Sequence, residues 1–419
     1  MPETASIEIY RELLDANAAV TSTLDLEEVL NIIMTKAQTL LDSEAASIFL
    51  VEEETEELVL AGSTNLPADL VGKIRFPRKL GVSGWVSRYG EPVVTEDITK
   101  DARFYSGVQE EVNFSTTSYL CVPLKIQNRI IGTAQVINRR SRGKYSAEDL
   151  YIMEVFARQA AIALENARLH RGELEKKRLE EELKVARAIQ QRMLPKADPV
   201  IEGYDISGRS YPCRWVGGDY FDFIPLAENR LGIVIADVCG KGIPAAVIMS
   251  SIQAAWHTLG DQGLDLQTIV SSLNRYLCRH TDPDKFATGF CGLLELAAGE
   301  FHYINCGHNP PYLFRANGEV EALIEGGLVL GAFEDSDYPL EKTELKVGDI
   351  ILIYTDGLVE AENGEGEMFG DKRLVELIRG LLNVGAKKII EQIKEVVEKF
   401  TQGGQLEDDL TVVCMKRIL

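Results

Sequence analysis

The stretch Val216–Phe223, VGGDYFDF, sets two carboxylates among glycines and aromatics, and other acidic points in the C-terminal half share its grammar. In RLGIVIADVCGKGIPAA an apolar run ends at Asp237, and in DIILIYTDGLVEA another ends at Asp356. In LEDDLTVVCMK the pair Asp408 and Asp409 precedes the last such run. A lone aspartate at a strand end ordinarily forms a turn or caps a helix. Four such sites change the expectation. Within ~6 Å of one another, each pair of carboxylates repels by roughly 3 kcal/mol at an effective dielectric of about 20, a cost that cations would neutralise and a turn would not offset. Oxygen ligands without histidine or cysteine select Mg²⁺ or Mn²⁺. Two such ions about 4 Å apart activate a water in line with phosphorus. Glycines beside the aspartates, Gly217 and Gly218 first among them, let backbone approach a crowded centre, so that a carbonyl next to Asp237 can join the coordination. This pattern suits hydrolysis of a phosphate ester.

Such a site needs strands to present it. After Pro195 the chain consists of short apolar runs with Gly- and Asp-rich joins and two helix patterns, near 243–259 and 371–400. The N-terminal part reads differently. A helical pattern reaching about residue 42 contains LEEVLNIIMTKAQTLL, followed by the strand-like runs AASIFLVEE, ELVLAGS, EPVVTED, SYLCVPLKI and RIIGTAQVINR, and then the helix AEDLYIMEVFARQAAIALENARL. Helix, antiparallel strands, helix predicts a small α+β domain. Between the halves lies RGELEKKRLEEELKVARAIQQRMLP, in which Leu179, Leu183, Ala186, Gln190 and Met193 recur at spacings of four and three. That seam, one side chain wide, predicts a short parallel coiled coil and hence a homodimer; a solvated single helix tethering two domains is the other reading. Pro195 ends the helix either way. The expected boundaries are 1–168, 169–195 and 196–419.

Composition narrows the partners. A chain of 419 residues, 45% hydrophobic and 26% charged, is folded and too long for one core. Seven scattered cysteines make no Cys-x-x-Cys pair and read as reduced thiols. The start MPETASIEIYRELLDANAAV lacks a basic-then-apolar leader, and no apolar run is long enough for a bilayer, so the expected location is cytoplasmic, without a membrane. A net charge of −21 disfavours nucleic acid and anionic membranes and leaves a protein or small-molecule partner.

Residues 20–168 resemble a GAF sensor domain through LGVSGWV at 80–86, CVPL at 121–124, IGTAQVINRR at 131–140 and YSAEDL at 145–150. Asn138, Arg139, Tyr145 and Asp149 resemble part of the signature of cyclic-nucleotide GAF domains, with Leu150 where its final Glu would stand. We read these residues as a strand-to-helix turn and cap. The resemblance leaves a small-molecule ligand or a partner as the input.

The segments VGGDYFDF, ADVCGKGIPAA, GHNPPYLF, GLVLG, ILIYTDGLVEAEN and EDDLTVV, in this order over 195–419, resemble the metal-dependent protein phosphatase (PPM) superfamily in its bacterial SpoIIE/RsbU-like branch. The resemblance implies two antiparallel sheets in a sandwich flanked by helices, two Mn²⁺ or Mg²⁺ ions, and phosphoserine or phosphothreonine substrates. By motif, Asp237 would bridge the ions with the Val238 carbonyl, Asp356 and Asp408 would hold one ion, and Asp219 would act directly or through water. Asp409 is the alternative to Asp408. Cys239 stands where eukaryotic members carry a proposed general-acid His, which leaves solvent to protonate the departing oxygen. Arg214 sits at the distance of their phosphate-gripping Arg, and Lys241 is a second candidate. His308 reads as structural and Trp215 as an apolar wall. The branch further implies a STAS-type anti-sigma-factor antagonist as substrate, with the GAF domain and connector in control. Two rivals stand beside this reading. GGDYF resembles the GGDEF hairpin of diguanylate cyclases, although Tyr220 replaces an acid and Asp237, Asp356 and Asp408 go unexplained. The other rival is a non-catalytic signalling scaffold.

Overall fold

The computed structural model describes residues 26–419 apart from 108–113, 142, 227–228 and 405. The opening residues read for a leader, and the start of the first helical pattern, lie outside the described residues. The chain divides into two compact units, Met1–Arg178 and Leu179–Leu419.

In the first unit the order is α1 (Leu26–Leu40), β1 (Ser43–Glu52), β2 (Glu57–Ser63), β3 (Arg75–Pro77), α2 (Gly81–Tyr89), β4 (Val93–Thr95), β5 (Tyr119–Ile126), β6 (Arg129–Arg139) and α3 (Ala147–Met193). The strands form one antiparallel sheet ordered β3-β2-β1-β6-β5-β4. The twofold alternation of strand side chains supplies both faces. Leu120, Val122 and Leu124 of β5 pack with Val29, Ile33 and Met34 of α1 and Phe156 and Ala160 of α3. Tyr119 and Cys121 of β5 point the other way, to Val82 and Val86 of α2. Helix α2, which the strand-and-loop reading did not foresee, ends on Gly90 in the left-handed region (φ 71°), where glycine fits without a Cβ penalty.

The long helix α3 joins what the sequence suggested as two segments, one closing the GAF-like domain and one connecting. Its buried stripe stops at Leu164, and Leu169, Leu174, Leu179, Val185 and Ile189 are exposed along the rest. It ends at Met193, ahead of Pro195 as the ring constraint requires.

The second unit continues with β7 (Tyr204–Tyr211), β8 (Tyr220–Leu226), β9 (Arg230–Val238), α4 (Ile243–Asp261), α5 (Leu266–His280), β10 (Ala287–Glu295), β11 (Glu300–Cys306), β12 (Tyr312–Phe314), β13 (Val320–Ala322), β14 (Glu341–Glu344), β15 (Ile350–Tyr354), α6 (Gly370–Arg379), α7 (Ala386–Phe400) and β16 (Leu410–Arg417). Two antiparallel sheets, β14-β11-β10-β9-β8 and β13-β12-β15-β16-β7, stack face to face. Ile233 and Ile235 of β9 meet Ile351 and Ile353 of β15 and Val413 and Met415 of β16 between them. On the outer faces Val234 and Ala236 pack under α4 and α5, and Leu352 and Val412 pack under α6 and α7. Strands covered on both sides carry continuous apolar runs, which is why LGIVIADV and IILIY show no polar alternation. The expected sandwich flanked by helices is present. Helix α5 went unread, although Asp265 caps it by accepting the Thr268 N–H at 2.9 Å. The pattern near 371–400 is two helices, α6 and α7, with Gly380–Gly385 between them.

Candidate active site

The register of the sandwich brings the acidic residues together. Strands β8 and β9 pair Tyr220 with Ala236, so Asp219, one residue ahead of β8, falls beside Asp237, near enough that each carboxyl bears on the other's proton affinity. Asp356 opens a short 3₁₀ turn directly after β15, and Asp408 lies in the turn leading into the neighbouring β16. Glycine makes this closeness possible. A Cβ on Gly217 would sit 2.1 Å from Asp409 Oδ2, and one on Gly357 would sit 2.2 Å from the Asp409 carbonyl oxygen. A Cβ on Gly218 would meet the Val238 carbonyl oxygen at 2.9 Å, so that carbonyl faces the same crowded point.

The electrostatics are those of a cluster short of positive charge. Asp219 is 4% exposed, and burial, then the charge of Asp237, push its carboxyl well above the usual range. The Thr355 hydroxyl, which donates to Asp219 Oδ2 at 2.8 Å, pulls the other way. Asp237 is pushed up to about 7 by burial and by the charges of Asp356 and Asp408. Burial and Asp408 raise Asp356 as well. Lys241, whose ammonium lies 2.8 Å from Asp408 Oδ2, also donates to the Glu407 carbonyl at 2.7 Å. Its proton affinity rises through the bond to Asp408.

The Asp408–Asp409 pair divides its labour. Asp409 spends both oxygens on backbone, accepting the Cys213 N–H at 2.8 Å and the Gly218 N–H at 2.9 Å. Asp408 is the partner that faces Lys241, Asp237 and Asp356. Cys213 lies with this pair, its candidate ligand atom within 4.8 Å of theirs. Burial and the charge of Asp409 push its thiol up to about 11, so it is a neutral neighbour and a poor ligand for a hard cation. The sequence reading missed Glu360, which burial and then the charges of Asp356 and Asp408 raise above its ordinary value. Its position four residues after Asp356, one helical turn on, was the available signal. The donor set, carboxylates with a backbone carbonyl beside them, fits hard divalent cations.

In the first unit the signature residues are consumed locally. Asn138 accepts the Thr117 N–H at 2.7 Å and donates to Glu44 Oε2 and to the Ser115 carbonyl, each at 2.7 Å. Arg139 pairs with Asp149 at 2.5 Å, Asp149 accepts the Ser146 N–H at 2.6 Å, and Tyr145 reaches Ser43 Oγ at 2.9 Å. They build the strand-to-helix join. A separate cavity of about 100 Å³ opens between the sheet and α2, lined by Phe49, Phe76, Ser83, Phe104, Tyr119 and Gln135 among others, with no charged side chain among its described lining residues. The Tyr119 hydroxyl donates to Gln135 Oε1 and lies 2.7 Å from Ser83 Oγ, which gives the cavity one neutral polar end.

Residues 227–418 match the family Stage II sporulation protein E (SpoIIE), and residues 25–164 match the GAF domain family. Phosphoserine phosphatase RsbU of Bacillus subtilis is 32% identical over 240 residues, covering 57% of this chain and 71% of RsbU. The chain belongs to the SpoIIE phosphatase family. Phosphoserine phosphatase RsbP of the same organism is 28% identical over 185 residues, 43% of this chain and 45% of RsbP, so the chain spans less than half of that relative. The SiaA-PP2C domain of Pseudomonas aeruginosa superposes with a TM-score of 0.51 at 20% identity, over 58% of this chain and 98% of that domain, a likeness of fold.

Within this SpoIIE phosphatase, Asp237, Asp356 and Asp408 fall inside the family match, whereas Asp219 precedes it. Cys239 is tied down, its Sγ 3.4 Å from the Asp284 carbonyl and accepting the Phe286 N–H at 3.1 Å. His308 is buried, 2.8 Å from Thr288 Oγ1, and burial drives its pKa down to about 4, which keeps the imidazole neutral. Arg214 and Trp215 are exposed on the loop before Gly217, and the charge of Arg214 reaches Lys241. The cyclase reading fails, because VGGD leads into β8 of a phosphatase sandwich. Gln190, expected on the coiled-coil seam, turns instead to the Gly217 backbone. Among the described residues no helix is long and apolar enough to cross a membrane.

Proposed function

We propose that this chain is a cation-dependent phosphatase of phosphoserine and phosphothreonine on proteins, acting in the cytosol on a STAS-type anti-sigma-factor antagonist under control of its GAF domain. The observation that carries the reading is the gathering of Asp219, Asp237, Asp356 and Asp408 into one partly buried cluster, in which burial and then the charges of neighbouring carboxylates raise the proton affinities of Asp219, Asp237 and Asp356. A fold tolerates such repulsion where something else supplies the charge. Asp237, the Val238 carbonyl, Asp356, Asp408 and Asp219 are the groups that would hold two Mn²⁺ or Mg²⁺ ions there. Cations held there supply Lewis-acid polarisation and charge neutralisation for an incoming phosphate monoester.

The chain's own residues do the remaining work. Asp409 fixes the loop that aims Asp219, and the Thr355 hydroxyl holds Asp219 in register. Lys241, on a loop between two glycines of positive φ (91° and 80°), can leave Asp408 and bind a phosphoryl oxygen. Arg214 on the neighbouring loop offers a second, forked grip. Cys239, held against the 284–286 backbone, does not serve as an acid, so water protonates the leaving oxygen. The GAF cavity suits a small, uncharged, largely apolar ligand, since a cyclic phosphate would find no cation among its described lining residues. The exposed Leu179, Val185 and Ile189 of α3 support pairing with a second copy.

The test is a phosphatase assay on phosphorylated antagonist with Mn²⁺ or Mg²⁺, comparing wild type with Asp237→Asn. Turnover that needs the cation and disappears in the variant is expected. Wild-type protein inert with both ions would favour the scaffold.

A further inference from the structure

A cavity of about 150 Å³ lies between the sheet of β8, β9 and β10 and its covering helices α4 and α5, lined by Ile224, Leu226, Trp256, Leu266, Ile269 and Leu293 among others. It is remote from the acidic cluster, since its floor at Gly232 is five residues back along β9 from Asp237, roughly 16 Å at about 3.3 Å per residue. Two glycines shape it. Gly232 sits inside β9, paired with Ile224 on one side and Leu293 on the other, so the floor is dented between two branched side chains. Gly260, one turn beyond Trp256 on α4, overlies the same place, because a Cβ there would lie 3.7 Å from Leu226 Cδ2 and 4.0 Å from Ile224 Cγ2. A Cβ on Gly232 would meet the Ile224 carbonyl oxygen at 3.4 Å and Leu226 Cδ1 at 3.6 Å. These are ordinary contacts, and neither residue is among the glycines of positive φ. Backbone and sterics would accept alanine at both positions, and glycine inside a strand or a helix weakens it. What the two glycines do is keep space open.

We propose that this cavity binds a small, uncharged, apolar ligand the size of one aromatic ring. An apolar cavity of this volume stays dry and takes up benzene, and Trp256, 4% exposed, offers an aromatic guest ring contact beyond the burial of area. The charged side chains on the described lining are Arg230 and Asp261, opposite in sign, with Asp261 exposed and Arg230 half-buried. They hold no net charge to draw an ion in, and an ion seated among the aliphatic groups would lose its water without replacement. The proposal is independent of the cation site, and it concerns the phosphatase domain and not the GAF cavity.

Toluene titrated into the full chain labelled with 5-fluorotryptophan tests it by fluorine NMR. The tryptophans are Trp85, Trp215 and Trp256, and Trp256→Phe identifies the resonance that matters. That resonance should move and saturate with a dissociation constant of about 1 mM or tighter, within what seven heavy atoms can supply. Gly232→Ala combined with Gly260→Ala puts two methyl groups into the space and should weaken toluene about tenfold or more, as overpacking does. Without toluene the same variant should melt higher than wild type, because alanine suits both elements and fills the void. Should the double variant not fold, Gly260→Ala alone decides by the direction of the change. Benzoate and benzylamine, the same ring with a charge, should bind about tenfold more weakly than toluene or not at all. A Trp256 resonance that stays in place, or drifts without saturating and does so equally in the double variant, overturns the site. Movement of the Trp85 resonance alone places toluene in the GAF domain and overturns it too. Benzoate bound as tightly as toluene overturns the uncharged class of ligand.

Discussion

The two units treat their acidic and polar motif residues in opposite ways. In the GAF domain Asn138, Arg139, Tyr145 and Asp149 satisfy one another and the nearby backbone, and Asp149 has Arg139 for a counter-ion. In the phosphatase domain Asp219, Asp237 and Asp356 are set against one another, with Lys241 at the edge bonded to Asp408. A polar cluster whose valences are closed supports the fold. One left electrostatically open marks where a ligand has to come. Both clusters sit on motif-like words, so the words alone do not separate the cases.

The largest effect should come from closing the open cluster by mutation. Asp237→Asn removes one charge from the centre of the repulsion. Cation-dependent turnover should fall by about a thousandfold, as removal of a central electrostatic group does. The metal-free protein should at the same time become more stable, by roughly 1–2 kcal/mol, since ionising Asp237 no longer opposes folding. Activity assays and thermal melts in chelator measure the two. A variant that lost activity and stability together would mean that Asp237 is structural.

A pH profile sharpens the same point. Asp237 has its carboxyl raised from 3.8 to about 7 in the folded state. A raised carboxyl means that the native state holds the proton more tightly. Its contribution is therefore fully present below pH 3.8 and is lost as pH climbs through about 7. Metal-free protein should lose stability across that window, and saturating Mn²⁺ should flatten the loss, because cation binding expels the proton. Titration calorimetry of Mn²⁺ near pH 6 in buffers of different ionisation enthalpy should register proton release. No release would separate the carboxylates from the cation.

Lys241→Met should have a smaller effect, with two signs. Removing the ammonium beside Asp408 takes away a competitor for the cation, and at this partly exposed pair Mn²⁺ should bind about fivefold more tightly, worth roughly 1 kcal/mol. Removing a phosphate contact should lower kcat/KM for the phosphoprotein about tenfold. Tighter metal with unchanged kcat/KM would leave Lys241 as a counter-ion only.

What was legible in the sequence was what local periodicity encodes. Apolar runs such as LGIVIADV and IILIY announce strands buried on both faces, and the aspartates at their ends follow from the chain leaving the sheet there. The difference in surroundings between Asp408 and Asp409 was not legible. It depends on the N–H groups of Cys213 and Gly218, nearly two hundred residues away, which take both oxygens of Asp409. Gln190 misled for a related reason. Its heptad spacing is that of a seam residue, yet the helix end beside Gly217 turns the amide to backbone. Helix α5 escaped because its capping residue, Asp265, stands in an acidic loop where aspartates are ordinary.

The smallest effects belong to the closed cluster. Asp149→Asn weakens the pair with Arg139 and the bond from the Ser146 N–H at the start of α3, where both partners are mostly buried. A loss of about 1–2 kcal/mol in the stability of the GAF domain is expected, from a cap and a charge-assisted bond together. The Mn²⁺ dissociation constant should not move, because the groups that hold the acids in place, Thr355 on Asp219, Asp409 on the Gly218 N–H and Lys241 on Asp408, all lie outside the GAF domain. Thermal melts followed by Mn²⁺ titration distinguish these outcomes. A shift in Mn²⁺ affinity would show that the strand-to-helix join and the acidic cluster form one energetic unit. The contrast between a closed and an open set of charges would then be a property of the motifs and not of the protein.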